Sequence, residues 1–97
     1  MTVVEIAHRD PGEYRKWARR LGDADLRRVA NKLRLLAEAG GALTMPHVRR
    51  MGGDLCELRA DKHRLYFVIV DDTATFLAYG EKDTQQRDIS RARRRKP

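Results

Sequence analysis

Arginine, lysine, histidine and tyrosine residues recur at the ends of neighbouring β-prone segments in the second half of the chain. Arg59 ends one such segment, Arg64 and Tyr66 lie in the next, and Lys82 follows the last. An arginine fork stays charged and binds phosphate oxygens bidentately, which suits it to hold the extra charge of a phosphorane. These residues predict a small cationic pocket for metal-free attack of an RNA 2′-hydroxyl on its own 3′-phosphate.

That reaction needs a base for the hydroxyl proton and an acid for the leaving 5′-oxygen. His63 stands directly before Arg64, and tyrosines lie close by in the sequence. Each residue also has a purely structural interpretation. Arg59 is then an exposed or ion-paired strand residue, Tyr66 a core or stacking residue, and His63 an exposed residue at a strand start.

Strand periodicity decides which of these side chains share a face. The segment His63–Val70 is strongly β-prone, and its alternation places Arg64 and Tyr66 on one side of the strand. Residues 55–59 form the strand before it, with Arg59 on the side opposite its apolar neighbours. We expect helices to cover one face of this sheet and the other face, with the candidate residues, to be partly open.

The remaining elements complete an α+β fold. Apolar residues at three- and four-residue spacing, between an Asp23 N-cap and a Gly40-Gly41 stop, predict the clearest helix. The expected order is an N-terminal strand, a helical hairpin, an antiparallel meander of three to four strands, and a C-terminal helix. We assign these elements to residues 2–6, 13–20, 23–39, 55–59, 63–70, 74–79 and 84–95. We expect residues 1–97 to form one domain, with a basic helix and tail at 84–97.

Composition excludes several classes of protein. The single cysteine, Cys56, cannot form an intrachain disulfide or a cysteine-based zinc cage, and the three histidines lie far apart. The apolar run at residues 65–70 has six residues, and the longest run without Asp, Glu, Lys or Arg, 39–48, has ten, whereas a membrane-spanning helix needs about twenty apolar residues. We therefore expect a cytoplasmic protein without a signal peptide, a membrane segment, a bound metal or a cofactor.

Basic charge is concentrated at the C-terminal end. Residues 85–97 hold six basic residues and one acid, whereas residues 1–84 hold 15 basic and 13 acidic residues. This distribution favours a polyanionic partner, nucleic acid before membrane. A solvated tail that maintains solubility explains the charge equally well.

Three blocks of sequence resemble the RelE/ParE superfamily of type II toxins, and within it the HigB-like "addiction module killer" branch. Residues 17–23 (WARRLGD) are similar to its W-hydrophobic-x-x-L-x-D segment. Residues 46–59 (PHVRRMGGDLCELR) are similar to its P-x-V-K-x-L-G-x-G-L-x-E-L-R stretch, and residues 64–67 (RLYF) to the following strand. Residues 80–92 (GEKDTQQRDISRA) are similar to its G-G-D-K-S-T-Q-x-x-D-I-x-x-A ending.

The resemblance implies a growth-inhibiting endoribonuclease that cleaves mRNA on the ribosome without metal. It implies a cognate antitoxin, commonly a small helix-turn-helix protein. On this basis Arg64 and Lys82 are expected to hold transition-state charge and Arg59 to orient phosphate. The candidates for proton transfer or RNA contact are Lys62, His63, Tyr66, Tyr79, Arg91, Arg93 and Arg94.

Two other functions remain possible on the sequence. ParE-type members of the superfamily inhibit DNA gyrase by binding and cut no RNA, and the basic C-terminal helix would then be an interaction surface. A relative that binds nucleic acid without chemistry would carry the same charge. Three features of this sequence favour the nuclease: residues 57–59 (ELR), Arg64 on the following strand, and residues 80–82 (GEK).

Overall fold

A computed structural model describes residues 3–97 as five strands and three α-helices. The predicted order of helices and strands is confirmed. The elements are β1 (Glu5–His8), α1 (Pro11–Arg19), α2 (Asp23–Ala39), β2 (Val48–Arg50), β3 (Cys56–Ala60), β4 (His63–Val70), β5 (Thr73–Glu81) and α3 (Gln85–Arg94). Short 3₁₀ turns follow α2 at Gly40–Ala42 and precede α3 at Lys82–Thr84.

The strands form one sheet in the order β1-β5-β4-β3-β2. Strands β2 to β5 are an antiparallel meander, and β1 pairs in parallel with β5 at the edge. The turn between β4 and β5 places Asp71 and Asp72 at φ 49° and 61°, the left-handed conformation that tight hairpins require. The meander has the upper number of strands predicted, because the short β2 is its fourth member.

The helix boundaries differ from the predicted ones in detail. Helix α1 begins at Pro11, and the Asp10 side chain accepts a hydrogen bond from the Glu13 N–H at 3.2 Å. Gly22, and not Asp23, occupies the N-cap position of α2, so Asp23 instead contributes negative charge to the first turn. The predicted opening strand is shifted to Glu5–His8, and residue 2 of that prediction lies outside the described residues.

The helical hairpin covers one face of the sheet, as predicted. Val29 and Leu36 are the fully buried residues of α2, and they pack against side chains of the central strands. Because leucine, valine and phenylalanine dominate this layer, burial of apolar surface holds the hairpin on the sheet. The strand residues of this core include Val48, Leu58, Leu65, Phe67, Ala74 and Phe76.

The opposite face of the sheet is not open, which corrects the sequence-based expectation. Helix α3 lies across it, and its Ile89 and Ala92 pack against a second apolar cluster that includes Tyr66, Val68 and Leu77. Ile89 and Ala92 are three residues apart and therefore fall on the same side of the helix. This one short apolar stripe is enough to dock an otherwise charged helix and to bury the face that carries Tyr66.

Among residues 3–97, no helix combines the length and the apolar character needed to cross a bilayer.

Candidate functional site

A cleft of about 560 Å³ lies where the α1–α2 turn, the start of β4, the end of β5 and helix α3 meet. The pairing of the strands creates it, because the start of β4 and the end of β5 are hydrogen-bonded neighbours at one end of the sheet. Helices α1 and α3 reach this end from opposite faces. The cleft is lined by residues of all these elements, among them Trp17, Leu21, Gly22, His63, Tyr79, Gly80 and Thr84.

Basic side chains from three parts of the chain border the cleft. They are Lys16, Arg20, Lys62, Arg87 and Arg91. Within residues 3–97 only Arg87 of these five forms an ion pair, with Asp88 at 3.2 Å. Four carboxylates also line the cleft, but two of them are already engaged: Glu13 with Arg95 at 2.8 Å, and Asp25 with Arg28 at 2.8 Å. The unpaired positive charge therefore exceeds the unpaired negative charge, which favours an anionic ligand.

An aromatic wall forms one side of the cleft. The Trp17 indole stacks on the Tyr79 ring, with centroids 5.3 Å apart and an interplanar angle of 25°. His63 meets the indole edge-on at 5.7 Å. Behind the wall, the Tyr79 hydroxyl is hydrogen-bonded to His8 Nδ1 at 2.6 Å, and His8 stacks on Tyr14. Burial raises the pKa of Tyr79, so its hydroxyl stays protonated.

His63 and Asp25 form a hydrogen-bonded pair at the base of the cleft. His63 Nε2 lies 3.2 Å from Asp25 Oδ2, and the hydrogen bond with His63 lowers the pKa of that carboxyl. His63 is only 1% exposed, and its Nδ1 has no hydrogen-bond partner within residues 3–97. The pair fixes the orientation of the imidazole and leaves one ring nitrogen unengaged.

A separate polar network lies under α3, centred on the buried carboxylate of Glu57. Gln85 Nε2 donates to Glu57 Oε2 at 2.5 Å, and the Nε atoms of Arg59 and Arg64 lie 3.7 and 3.9 Å from Oε1. Tyr66 stands opposite Glu57 on the neighbouring strand, and burial together with the Glu57 charge raises the pKa of its hydroxyl. The network ties α3 to strands β3 and β4.

Arg64 belongs to this network and does not line the cleft. Its side chain is 4% exposed, and its Nη1 donates to the backbone carbonyls of Asp61 at 2.5 Å and His63 at 3.0 Å. Those two carbonyls belong to the turn that carries Lys62. Arg64 therefore braces the β3–β4 turn from inside the fold.

The cleft brings together four of the ten residues predicted from the sequence: Lys62, His63, Tyr79 and Arg91. The structure places Arg59, Arg64 and Tyr66 in the Glu57 network. Lys82 is exposed, and its backbone N–H donates to the Lys62 carbonyl at 2.8 Å. Arg93 donates to the Met51 carbonyl at 2.7 Å, and Arg94 lines a groove near the β4–β5 hairpin.

Sequence reasoning missed the contribution of α1 to the cleft. Lys16, Trp17 and Arg20 line it, although none of the three was predicted as a site residue. Their spacing on a helix, together with the tight turn at Gly22, was the available signal. Arg87 was also missed, although its four-residue spacing from Arg91 predicts one helix face. Within residues 3–97 no cluster of three or more histidine, cysteine or acidic residues is arranged to hold a metal ion.

Comparison with solved structures confirms the RelE-like fold. A mutant of the Escherichia coli toxin RelE, solved in the free state, superposes with a TM-score of 0.70 over 96% of this chain and 97% of that chain. The two sequences are 18% identical, so the likeness is one of fold. Comparison with curated proteins finds no sequence match. Residues 16–97 match the family described as "Phage derived protein Gp49-like", and because this match covers most of the chain, the protein belongs to the Gp49-like family.

Proposed function

We propose that this chain is the toxin of a type II toxin–antitoxin pair, of the HigB-like branch, and that it cleaves mRNA on the ribosome without a metal ion. The observation that carries the proposal is the cleft, in which five basic side chains surround an aromatic wall within a RelE-like fold. Cations that bind backbone phosphates and rings that contact bases are the two components that single-stranded RNA requires.

The proposed reaction is attack of a 2′-hydroxyl on the adjacent 3′-phosphate. A bond forms between the 2′-oxygen and phosphorus, the bond to the 5′-oxygen breaks, and the products are a 2′,3′-cyclic phosphate and a free 5′-hydroxyl. Lys62 and Arg91, which both line the cleft, are proposed to stabilise the charge that develops on the phosphorane. His63 is 1% exposed and its Nδ1 is buried, so it is proposed to hold Asp25 and Trp17 in position. Solvent water is the proposed proton acceptor from the 2′-hydroxyl and the proposed proton donor to the leaving 5′-oxygen.

The other predicted catalytic residues receive a different role in this proposal. Arg64 and Glu57 hold the β3–β4 turn that presents Lys62, and Arg59 and Tyr66 flank the same carboxylate. They are therefore proposed as positioning residues. Lys82 stays exposed, where it is available to contact RNA outside the cleft.

The decisive experiment is primer extension on a defined mRNA in a cell-free translation reaction. The wild-type chain is expected to create new 5′ ends inside the reading frame only when ribosomes are present. Arg91→Ala is expected to lower the cleavage rate by about 10²–10³, the effect of removing one preorganised donor to a developing oxyanion. Arg93→Ala is the matched control, because it removes the same charge from the same helix on a side chain that binds the Met51 carbonyl instead.

The outcomes separate the candidate functions. Intact mRNA, with growth arrest in cells confirming an active protein, contradicts the nuclease and favours inhibition of gyrase or binding without chemistry. Equal losses in Arg91→Ala and Arg93→Ala would mean that net charge matters and the cleft does not.

The proposal includes a protein partner. The antitoxin is expected to be a small helix-turn-helix protein encoded beside this chain, and the toxin is expected to act in the cytoplasm, where ribosomes are. Co-expression with the neighbouring reading frame should restore growth and yield a complex that copurifies. A neighbour that neither binds this chain nor restores growth contradicts this part of the proposal.

A further inference from the structure

We infer that Trp17 is the platform on which an unpaired RNA base stacks in the cleft. This inference rests on the proposed function, because it requires RNA to enter the cleft. Tyr79 was predicted as a candidate for proton transfer or RNA contact, whereas Trp17 was not predicted as a site residue.

The geometry of the aromatic wall leads to this assignment. Tyr79 also lines the cleft, but it is 6% exposed and stacks on the indole, so little of its ring is left for an incoming base. Trp17 is partly exposed and lines the cleft, with one face covered by Tyr79 and an edge held by His63. The surface left for a ligand is therefore the indole face that points away from Tyr79. Because Tyr79 and His63 brace the ring, little rotamer freedom remains to be lost on binding.

Burial separates Trp17 from the aromatic residues that serve only the core. Phe67 and Phe76 are 1% and 0% exposed in the layer beneath the helical hairpin. Trp17 instead keeps part of its large ring exposed, and it lines the same cleft as four cations that are unpaired within the described part of the chain.

The charges beside the indole identify the occupant as RNA. Arg20 follows Trp17 by three residues on α1 and therefore lies on the same side of the helix, and Lys16, four residues before Arg20, lines the same cleft. Lys62 and Arg91 line the same cleft. A base on the indole would have its flanking phosphates within this set of cations, whereas an apolar peptide would leave them uncompensated. Stacking accepts any base, because every base has a π-face.

Trp17 is the only tryptophan of the chain, so intrinsic fluorescence reports on it alone. The probe is a single-stranded RNA hexanucleotide with 2′-O-methyl groups, which cannot be cleaved, at one fixed low salt concentration. Stacking of a base on the indole is expected to quench the fluorescence in a saturable manner. An abasic hexanucleotide of the same length carries the same charge and is expected to bind without quenching.

Two variants of similar bulk separate stacking from packing. Trp17→Leu keeps an apolar side chain against Tyr79 but lacks a π-face, whereas Trp17→Phe keeps a ring. Trp17→Leu is expected to weaken binding of a fluorescently labelled hexanucleotide by roughly 5- to 150-fold, and Trp17→Phe by far less. Circular dichroism and the midpoint of urea unfolding show whether both variants remain folded.

Each result bears on the inference. It is overturned by unquenched fluorescence at saturating RNA, by equal affinities of folded Trp17→Leu and Trp17→Phe, or by failure of the wild-type chain to bind the hexanucleotide. Quenched binding without mRNA cleavage supports the inference and contradicts the nuclease. Cleavage without quenching supports the nuclease and contradicts the inference.

Discussion

Replacing Gly80 by alanine tests how tightly α3 is joined to the sheet. A Cβ at this position would lie 1.8 Å from Asp88 Oδ2, 2.7 Å from Asp88 Cγ and 2.8 Å from Thr84 Oγ1. The Asp88 side chain cannot swing into solvent, because it is fully buried and accepts a 2.6 Å hydrogen bond from the Thr84 hydroxyl. Gly80→Ala must therefore displace the carboxylate and the start of α3 with it.

The expected loss follows from these contacts. Overpacking a filled interior costs about 1–3 kcal/mol, and a hydrogen bond to a charged group contributes about 1.5–3 kcal/mol. Alanine restricts the unfolded chain, which returns about 0.4–1 kcal/mol. We expect Gly80→Ala to lower the free energy of unfolding by about 3 kcal/mol, and Tm by roughly 12–24 °C in a domain of this size.

Urea unfolding, monitored by circular dichroism, measures this change in the free energy of unfolding. A double-mutant cycle identifies its cause. In the Asp88→Ala background both Asp88 atoms that meet the new Cβ are gone, and the Thr84 hydroxyl, which remains, has lost the partner that fixes its rotamer. The cost of Gly80→Ala should then fall below about 1 kcal/mol, which gives a coupling energy of about 2 kcal/mol between the two positions. Additive effects in the cycle, or a Gly80→Ala protein as stable as the parent, would refute the reasoning.

Two further predictions concern buried polar groups. Glu57→Ala removes the carboxylate that faces the buried Arg64 guanidinium and should lower the free energy of unfolding, measured in urea, by roughly 3 kcal/mol. A loss under about 1 kcal/mol would show that the hydrogen bonds from Arg64 to backbone carbonyls are sufficient to stabilise its buried charge. Burial lowers the pKa of His8 from its ordinary value of about 6.5, so the unfolded chain binds the proton more tightly. The free energy of unfolding should therefore be fully retained above the ordinary pKa and should decline as the pH falls from there through the lowered pKa. This decline should be smaller in His8→Gln. Identical pH profiles of the two proteins would exclude His8 as the cause.

Local patterns in the sequence were sufficient to predict most of the fold. The β-branched and aromatic run His63–Val70, followed by two aspartates in the left-handed conformation, specifies the β4–β5 hairpin through short-range preferences. The apolar periodicity of α2 similarly predicted which face meets the sheet. Strand β2 was not assigned on its own, because three residues with one buried side chain, Val48, carry too little pattern.

The candidate site was predicted only in part, because alternation gives the face of a residue but not what covers that face. Arg64 and Tyr66 do share the side that the sequence assigns to them, opposite Leu65 and Phe67. Whether that side is open depends on α3. Helix α3 is rich in arginine, and its apolar stripe is too short to predict from sequence that the helix packs against the sheet.

By itself the sequence determined the order of the elements, the side on which each strand residue lies, and the basic character of the C-terminal helix. These properties follow from spacing along the chain, which local sterics and turn preferences convert directly into structure. Only the tertiary structure decided that α3 buries Tyr66 and that Arg64 braces a turn. It also decided that Lys16, Trp17 and Arg20 of α1 share a cleft with Arg91 of α3. This last relation joins residues more than seventy positions apart, and it exists only where packing of both sheet faces brings the two helices to the same end of the sheet.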